Sequence, residues 1–267
     1  MKRIIFILLF PLLASAQVAT NRCAIDMANM AESEADYVDS GVYDSTLAGW
    51  FCFLVAPTND TTFASGDSSP LRYTLQQTNV AQRPTWNTNG MTFDGVDDRL
   101  YSVGQRTGMW YGVRCWLLLT NSITATNSPR ALYSRRAPTS NQVSVVFLGS
   151  ATGSLTNETI TVIADAGDAW RVGITNALSA GWHHLVVTWA ATNYSVYLNG
   201  ARPPHIYNVG TVAGVTNTLE YWVGGNLVST SSLLNATVDC FVLLSNAWTA
   251  AQIGADYTNG LRRRNLP

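Results

Sequence analysis

Short runs rich in Val, Ile, Trp, Tyr and Thr alternate with clusters of Asn, Gly, Ser and Asp along most of the chain. Within several runs, apolar and polar positions alternate with a period of two, as they do in strands that are buried on one face. The pattern predicts an all-β fold, either a sandwich or a barrel. The clearest predicted strands are residues 110–119, 132–136, 143–148, 159–164, 170–174, 182–189, 194–198, 221–223 and 238–244.

Residues 182–189 show this alternation most clearly. The face that we expect to line the core carries His183, Leu185, Val187 and Trp189. The opposite face carries His184, Val186 and Thr188. Because neighbouring residues of a strand point to opposite faces, His183 and His184 cannot serve one site. We predict packing and hydrogen-bonding roles for both, and no catalytic or metal-binding histidine cluster.

Local signals also predict a turn and two helices. Asn199 and Gly200 both tolerate the positive φ of a type I′ turn, so they predict a hairpin after strand 194–198. Residues 249–257 predict a helix with Thr249 as its N-cap. Residues 23–38 predict a second helix or an ordered leader.

The N-terminus has the pattern of a signal peptide over residues 1–16, with basic Lys2 and Arg3, an apolar run and a small-residue cleavage site. No later stretch approaches the roughly 20 apolar residues that cross a bilayer. We expect an exported mature protein, extracellular or periplasmic, with no membrane span. A retained signal anchor is the alternative.

The remaining chain predicts one large domain. We expect a leader over residues 17–46, a β domain over 47–260 and a basic tail over 261–267. The tail's arginines are typical of a solvated terminus, and a docking patch is the alternative.

Composition narrows the function. Only 12% of the residues are charged and the formal net charge is −1, which excludes the basic surface of a nucleic-acid binder. Lys2 is the only lysine and lies in the predicted signal. A P-loop and a lysine nucleophile are therefore excluded from the mature protein.

Export would allow disulfides among the four cysteines, Cys23, Cys52, Cys115 and Cys240. None forms a CxxC pair, and their spacing leaves three pairings open. Buried free thiols are the alternative.

Several motifs together carry a family resemblance. In order along the chain they are FDGVDD at 93–98, GWHHLVVTW at 181–189, VYLNG at 196–200, TVDCFV at 237–242 and WTAAQI at 248–253. Their order and spacing resemble the LamG-type (laminin G-like) branch of the concanavalin A-like lectin/glucanase superfamily, over about residues 47–258. The resemblance implies two antiparallel sheets stacked as a jelly-roll sandwich. The chain departs from the family pattern at Asn199, where Asp is usual, and at Cys240, where Glu is usual.

Carboxylates bear on whether the protein is an enzyme. The members of this fold that hydrolyse β-glucans carry E-x-D-x-x-E on one strand, which supplies the nucleophile and the general acid. This chain lacks that motif. Its glutamates are isolated or precede the domain: Glu32, Glu34, Glu158 and Glu220. We therefore predict a non-catalytic protein, with an acid pair formed only by folding as the alternative.

Aromatic residues are candidates for sugar binding, because an aromatic face packs against the apolar face of a pyranose. Trp170, Trp222 and Tyr207 lie near predicted turns and are the candidate ligand-binding residues. Trp116, Trp182 and Trp189 stand in family motifs, so we expect structural roles for them.

The resemblance also implies a metal ion and a disulfide. Asp239 aligns with an Asp that joins backbone carbonyls around a structural Ca²⁺ in relatives, and the turn at Asp94-Gly95 would supply one carbonyl. The alternative is that Asp239 caps a turn or meets solvent. Cys115 and Cys240 fall on strands that are neighbours in the family, which implies a Cys115–Cys240 disulfide and leaves Cys23–Cys52 as the second pair.

Together these features predict a secreted, non-catalytic binding or adhesion module for a glycan or a cell-surface glycoconjugate. One alternative is a self-associating structural subunit of a surface layer, fibre or virion. Another is a glycoside hydrolase with atypical acids.

Overall fold

A computed structural model describes residues 49–51, 65–66, 74–87, 89–102, 112–124, 129–136, 143–149, 159–164, 171–190, 193–205, 220–225, 232–244 and 247–264. Ser45–Pro267 form one compact unit. The predicted signal and the helix at 23–38 lie outside the described residues, as do Cys23, Cys52, Trp170 and Tyr207. No helix of the described part is long and apolar enough to cross a membrane.

Fifteen strands and one helix make up the described secondary structure, apart from a 3₁₀ turn at Val80–Gln82. The elements are β1 (Gly49–Phe51), β2 (Ser65–Gly66), β3 (Thr74–Gln76), β4 (Thr85–Asn87), β5 (Gly90–Asp94), β6 (Leu100–Ser102), β7 (Gly112–Leu119), β8 (Arg130–Arg136), β9 (Val143–Leu148), β10 (Ile160–Ala164), β11 (Arg171–Ile174), β12 (Gly181–Ala190), β13 (Asn193–Leu198), β14 (Glu220–Val223), β15 (Asn235–Leu244) and α1 (Ala250–Arg264).

The strands form two antiparallel sheets stacked as a sandwich, as predicted. The seven-stranded sheet has the order β13-β12-β7-β15-β5-β4, with β1 also paired to β15. The eight-stranded sheet has the order β11-β10-β9-β8-β14-β6-β3-β2. Every strand predicted from the alternation is present, with its ends shifted by a few residues at most.

The core lies between the two sheets and is built by the period-two pattern. One row crosses the inner face of the eight-stranded sheet in register, through Leu100, Val223, Tyr133, Val146, Val162 and Val172. All of them belong to one buried hydrophobic cluster, together with Leu117 and Leu185 of the facing sheet.

Strand β12 confirms the predicted core face and adds a second buried face. Leu185 and Val187 are in the core cluster, and Trp189 packs against it. His184 and Val186 on the other face are also fully buried. Helix α1 packs on that outer face, which the alternation alone did not indicate.

The predicted turn and helix cap are both present. Asn199 has φ of 52° and Gly200 has φ of 75°, and Leu198 and Ala201 exchange two backbone hydrogen bonds across the turn. At the start of α1, the Thr249 hydroxyl accepts from the Gln252 backbone N–H at 3.3 Å, while Gln252 Oε1 accepts from the Thr249 N–H at 2.7 Å. This reciprocal arrangement is a capping box. The helix continues beyond the predicted end to Arg264, so part of the predicted tail is helical.

The predicted Cys115–Cys240 disulfide is absent from the structure. Both residues are buried, free thiols. The register of β15 on β7 shifts between Asp239 and Val242, so Cys240 and Phe241 together oppose Cys115. Phe241 shares the core cluster with Cys115, whereas Cys240 takes the extra position with φ of 49°. The bulge therefore puts a phenylalanine in the place that the disulfide requires.

Candidate functional site

The outer face of the eight-stranded sheet carries a row of polar and aromatic side chains. Register aligns Gln76 with Tyr101, Tyr101 with Trp222, and Trp222 with Ser134. These residues alternate with core residues along their strands, so they face away from the core. Arg99 precedes β6 and lies on the same side, with its guanidinium carbon 5.4 Å from the centroid of the Trp222 ring.

We call Gln76, Thr78, Arg99, Tyr101 and Trp222 the outer-face patch. The Tyr101 and Trp222 rings lie 5.1 Å apart at 34°. Gln76 Nε2 donates to the Tyr101 hydroxyl at 3.3 Å, and the Thr78 hydroxyl lies 3.4 Å from the same oxygen. Tyr101 and Gln76 are half-buried, and Thr78 is exposed. The patch thus offers one aromatic surface edged by a phenol, an amide and a hydroxyl.

The burial of Trp222 corrects the prediction that it is an exposed ligand-binding aromatic, and its neighbours Tyr101 and Arg99 were not predicted. Trp222 was expected to be an exposed aromatic, but only 8% of its surface is accessible. Tyr101 beside it and Arg99 over it cover the ring, so its position near a turn was misleading. Tyr101 itself was not predicted, because the three-residue strand Leu100–Ser102 is too short to show an alternation of its own.

An acidic loop follows β5. Asp94, Asp97 and Asp98 each offer a carboxylate oxygen, and these oxygens lie within 4.8 Å of one another. Asp94 Oδ1 accepts from the backbone N–H of Val96 at 2.7 Å and of Asp97 at 3.3 Å. Asp98 Oδ2 accepts from the Asp94 N–H at 2.9 Å. These bonds fold the loop so that three hard oxygen donors converge, which suits a cation such as Ca²⁺.

Electrostatics in this loop also favour a cation. Burial, followed by the charges of Asp94 and Asp97, raises the pKa of Asp98 to about 6. Burial also acts to raise the pKa of Asp94, but hydrogen bonds from the backbone of Val96, Asp97 and Asp98 lower it overall. A cation would offset the repulsion among the carboxylates, so the acidic loop is a fitting metal site.

The predicted metal set of Asp239, Asp94 and Gly95 is not brought together. Val238 pairs with Met91 and Asn235 with Asp94, so β15 and β5 run in opposite directions. Asp239 therefore lies beside Gly90 at the start of β5, whereas Asp94 ends that strand. Four residues of extended strand separate the two ends by about 13 Å, at roughly 3.3 Å per residue. Asp94 and Gly95 remain in the acidic loop, and Asp239 does not.

A buried ionic cluster lies between α1 and the seven-stranded sheet. Asp256 accepts from Arg114 Nε at 2.7 Å and Nη2 at 2.6 Å, and from His184 Nε2 at 2.7 Å. Trp116, His184 and Tyr257 stack around it, with ring centroids 5.0–5.9 Å apart. Burial opposes ionisation of Asp256, but Arg114 and then His184 hold the pKa of its carboxyl well below the usual range. Arg114 and His184 already occupy the Asp256 carboxylate. The cluster therefore holds α1 against the sheet and does not serve as a ligand site.

The family follows from a match over residues 113–254, which run from β7 into α1, to Laminin_G_3 of the concanavalin A-like lectin/glucanases superfamily. The chain belongs to this family. The Laminin_G_3 region includes Trp222 of the outer-face patch, whereas Arg99, Tyr101 and the acidic loop precede it. No curated protein sequence matches the chain.

Solved structures share the same fold at low sequence identity. The receptor binding domain of botulinum neurotoxin D matches with a TM-score of 0.54 and 11% identity, over 81% of this chain and 53% of that domain. The chain thus spans about half the length of that structure. Domain 4 of AbnA, an extracellular arabinanase from Geobacillus stearothermophilus, was solved with arabinotriose. It matches with a TM-score of 0.51 and 14% identity, over 78% of this chain and 97% of that one.

Proposed function

We propose that the protein is an exported, non-catalytic carbohydrate-binding domain whose sugar site is the outer-face patch. The observation that carries the proposal is the Tyr101–Trp222 pair, with centroids 5.1 Å apart on the outer face of the eight-stranded sheet. Tyr101 is the accessible ring and Trp222 supports it from beside. The proposal of export rests on the signal pattern of residues 1–16.

The chemistry of the patch matches a sugar. A pyranose packs its apolar face on an aromatic ring, and its hydroxyls bond to amides and hydroxyls. Tyr101 supplies the ring, while Gln76 and Thr78 supply the polar groups. Each hydroxyl bond replaces one to water and gains only about 0.5–1.5 kcal/mol, so one site binds weakly. Multivalent display would raise the apparent affinity.

Two neighbours in fold support this proposal. The arabinanase domain was crystallised with arabinotriose, and the neurotoxin domain is a receptor binding domain. Both matches are under 25% identical, so they support a binding role through the fold only.

The acids of the described residues fit a structural metal better than hydrolysis. A retaining glycosidase places its two carboxyls about 5 Å apart on either side of the scissile bond. Asp94, Asp97 and Asp98 are as close as that, but they belong to one short loop, where two of them accept backbone N–H groups. We assign this loop to a structural Ca²⁺, held by carboxylates and supplemented by other oxygens.

The test is binding of the mature protein to a glycan array, followed by affinity electrophoresis with the best polysaccharide. Tyr101→Ala should abolish measurable binding, and Tyr101→Phe should keep part of it because the ring remains. Trp182→Ala is the matched control, since Trp182 is a half-buried aromatic on the other sheet. Its binding should equal that of the wild type.

Three outcomes would contradict the proposal. If Trp182→Ala and Tyr101→Ala are both folded by circular dichroism and lose binding equally, the outer-face patch is not the sugar site. Release of reducing ends from a polysaccharide, abolished by changing one acid to its amide, would make the protein a hydrolase. Silence across the array together with ordered self-assembly would favour a structural subunit.

A further inference from the structure

We propose that the outer-face patch selects sugars that carry a carboxylate, and that Arg99 is the residue that binds this carboxylate. The inference rests on the proposed function and specifies its ligand class. The observations that support it are the environment of the Arg99 guanidinium and two buried N–H groups beside it.

Arg99 is a cation without an anionic partner in the described part of the chain. A guanidinium has five N–H donors, and the acceptor for Arg99 is Gln82 Oε1, 3.1 Å from Nη2. Its guanidinium carbon lies 5.4 Å from the centroid of the Trp222 ring. Arg114, by contrast, forms an ion pair with Asp256 within the fold. Arg99 therefore keeps both its charge and most of its donors.

Two buried donors beside this cation also lack acceptors among the described residues. They are Arg99 Nε and Trp222 Nε1. Both atoms are shielded from solvent, so they act on a ligand through their electric field rather than by direct contact. Among the described residues, these two donors and the Arg99 cation therefore have no anionic partner, and a neutral sugar would supply none.

The shape of the donor set favours a carboxylate. The planar guanidinium fork matches the two oxygens of a carboxylate, which it binds bidentately, and no described residue accepts from the remaining Nη hydrogens of Arg99. Tyr101 would hold the sugar ring, and Gln76 and Thr78 would bond its hydroxyls. A uronic acid unit has the carboxylate, the ring face and the hydroxyls that these residues would bind. Because the net charge of the whole chain is −1, the selection must come from this local group rather than from bulk attraction.

The experiment compares acidic polysaccharides with matched neutral forms. Polygalacturonate, alginate and hyaluronan are each tested beside their methyl-esterified counterparts, and dextran sulfate is tested beside dextran. Wild-type protein should bind at least one carboxylate form about tenfold or more tightly than its ester, with a preference that weakens in high salt. Dextran sulfate should bind less well than that carboxylate form, because the fork fits a planar group.

Variants of Arg99 test the assignment. Arg99→Gln should weaken binding of the acidic form about 10- to 100-fold and binding of the ester much less, so that the preference for the acid is lost. Arg99→Lys should recover only part of the loss, because it keeps the charge without the fork. Arg202→Gln is the matched control. Arg202 is exposed in the turn after β13, and its substitution removes the same charge. Thermal unfolding by circular dichroism verifies that each variant is folded.

Each other outcome has a defined meaning. Equal binding of acid and ester forms, unchanged in Arg99→Gln, overturns the carboxylate assignment and leaves the proposed carbohydrate site standing. Equal losses in Arg99→Gln and Arg202→Gln, or the tightest binding to dextran sulfate, overturn it as well by showing general anion attraction. Binding to neither acidic nor neutral sugars contradicts the proposed function itself.

Discussion

Arg114 and Asp256 are 142 positions apart in the sequence and form a buried bidentate ion pair, with Nε 2.7 Å and Nη2 2.6 Å from the two carboxylate oxygens. Arg114 lies on a central strand of the seven-stranded sheet, and Asp256 lies on α1. The pair therefore fastens the C-terminal helix to one outer face of the sandwich. It leaves the outer face of the other sheet to carry the proposed site.

Removing one partner of this pair should be costly. Asp256→Asn leaves the Arg114 charge buried without compensation, and we expect a loss of about 3–5 kcal/mol in the free energy of unfolding. Chemical denaturation at pH 7 measures it. The double variant Arg114→Met, Asp256→Leu replaces both charges with apolar groups and should recover most of the loss. A single variant as stable as the wild type would show that the pair does not hold the helix.

Two glycines of α1 form a matched pair of predictions. A Cβ at Gly260 would overlap Cζ2 of the Trp116 ring, whereas a Cβ at Gly254 would meet nothing within 4 Å. Gly260→Ala should therefore destabilise the protein by displacing the helix from the Trp116 ring. Gly254→Ala should stabilise it by up to about 1 kcal/mol, because alanine is the better helix former. Melting temperatures that move in the same direction for both variants would contradict this packing.

Short-range patterns account for most of the fold that could be predicted. The alternation on β12 identified Leu185 and Val187 as core, and Asn199-Gly200 determined the hairpin, because these signals depend on neighbours in sequence. The bulge at Cys240 depends on one extra residue opposite Cys115 in another strand. Nothing local in the sequence indicates which strand will carry that residue.

The candidate site was harder to predict for the same reason. Tyr101 becomes an aromatic platform only because register places it beside Trp222, whose strand follows more than a hundred residues later. Arg99 becomes distinctive only because the described fold offers it no carboxylate. The acidic loop was easier to predict from the sequence, since Asp94, Asp97 and Asp98 lie within five residues. Only Asp94 of the three was predicted as a ligand.

The cysteines provide a direct test of the bulge. Burial raises the pKa of the Cys115 thiol to about 12, so it should resist iodoacetamide in the folded protein. In denaturant without any reductant, both Cys115 and Cys240 should be alkylated. Peptide mass analysis reads the two sites separately. A Cys115 peptide linked to a Cys240 peptide and released only by a reductant would show that the two are disulfide-bonded and that the bulge is wrong.

Asp98 should make stability fall as the pH rises from about 4 to 6. Its pKa is about 6 in the folded protein, against 3.8 for an ordinary aspartate. Between these values the folded chain binds more protons than the unfolded chain, so its contribution is full below pH 4 and is lost through pH 6. Denaturation with EDTA present should show this fall for the wild type. Asp98→Asn keeps an acceptor for the Asp94 N–H but cannot titrate, so the difference between the two curves should change across this window. A constant difference would contradict the raised pKa.

Calcium should reverse that loss by binding the acidic loop. An ion that binds only the folded protein stabilises it by about 2.7 kcal/mol at 100 times its Kd. The melting temperature at pH 7.5 should therefore rise with Ca²⁺ and return with EDTA. The rise should be smaller at pH 5, where Asp98 is mostly protonated and a proton competes with the ion.

Two variants decide which aspartates hold the calcium ion. Asp97 offers a carboxylate to the cluster, and no described hydrogen bond uses that carboxylate, so Asp97→Asn should remove the calcium response without unfolding the loop. Asp239 lies at the other end of β5, so the melting temperature of Asp239→Asn should still rise with Ca²⁺, even if this variant is less stable than the wild type. Titration calorimetry with CaCl₂ measures binding independently of melting. If Asp239→Asn abolished binding and Asp97→Asn preserved it, the ion would belong to the site that the family resemblance implied, and the acidic loop would only shape the turn after β5.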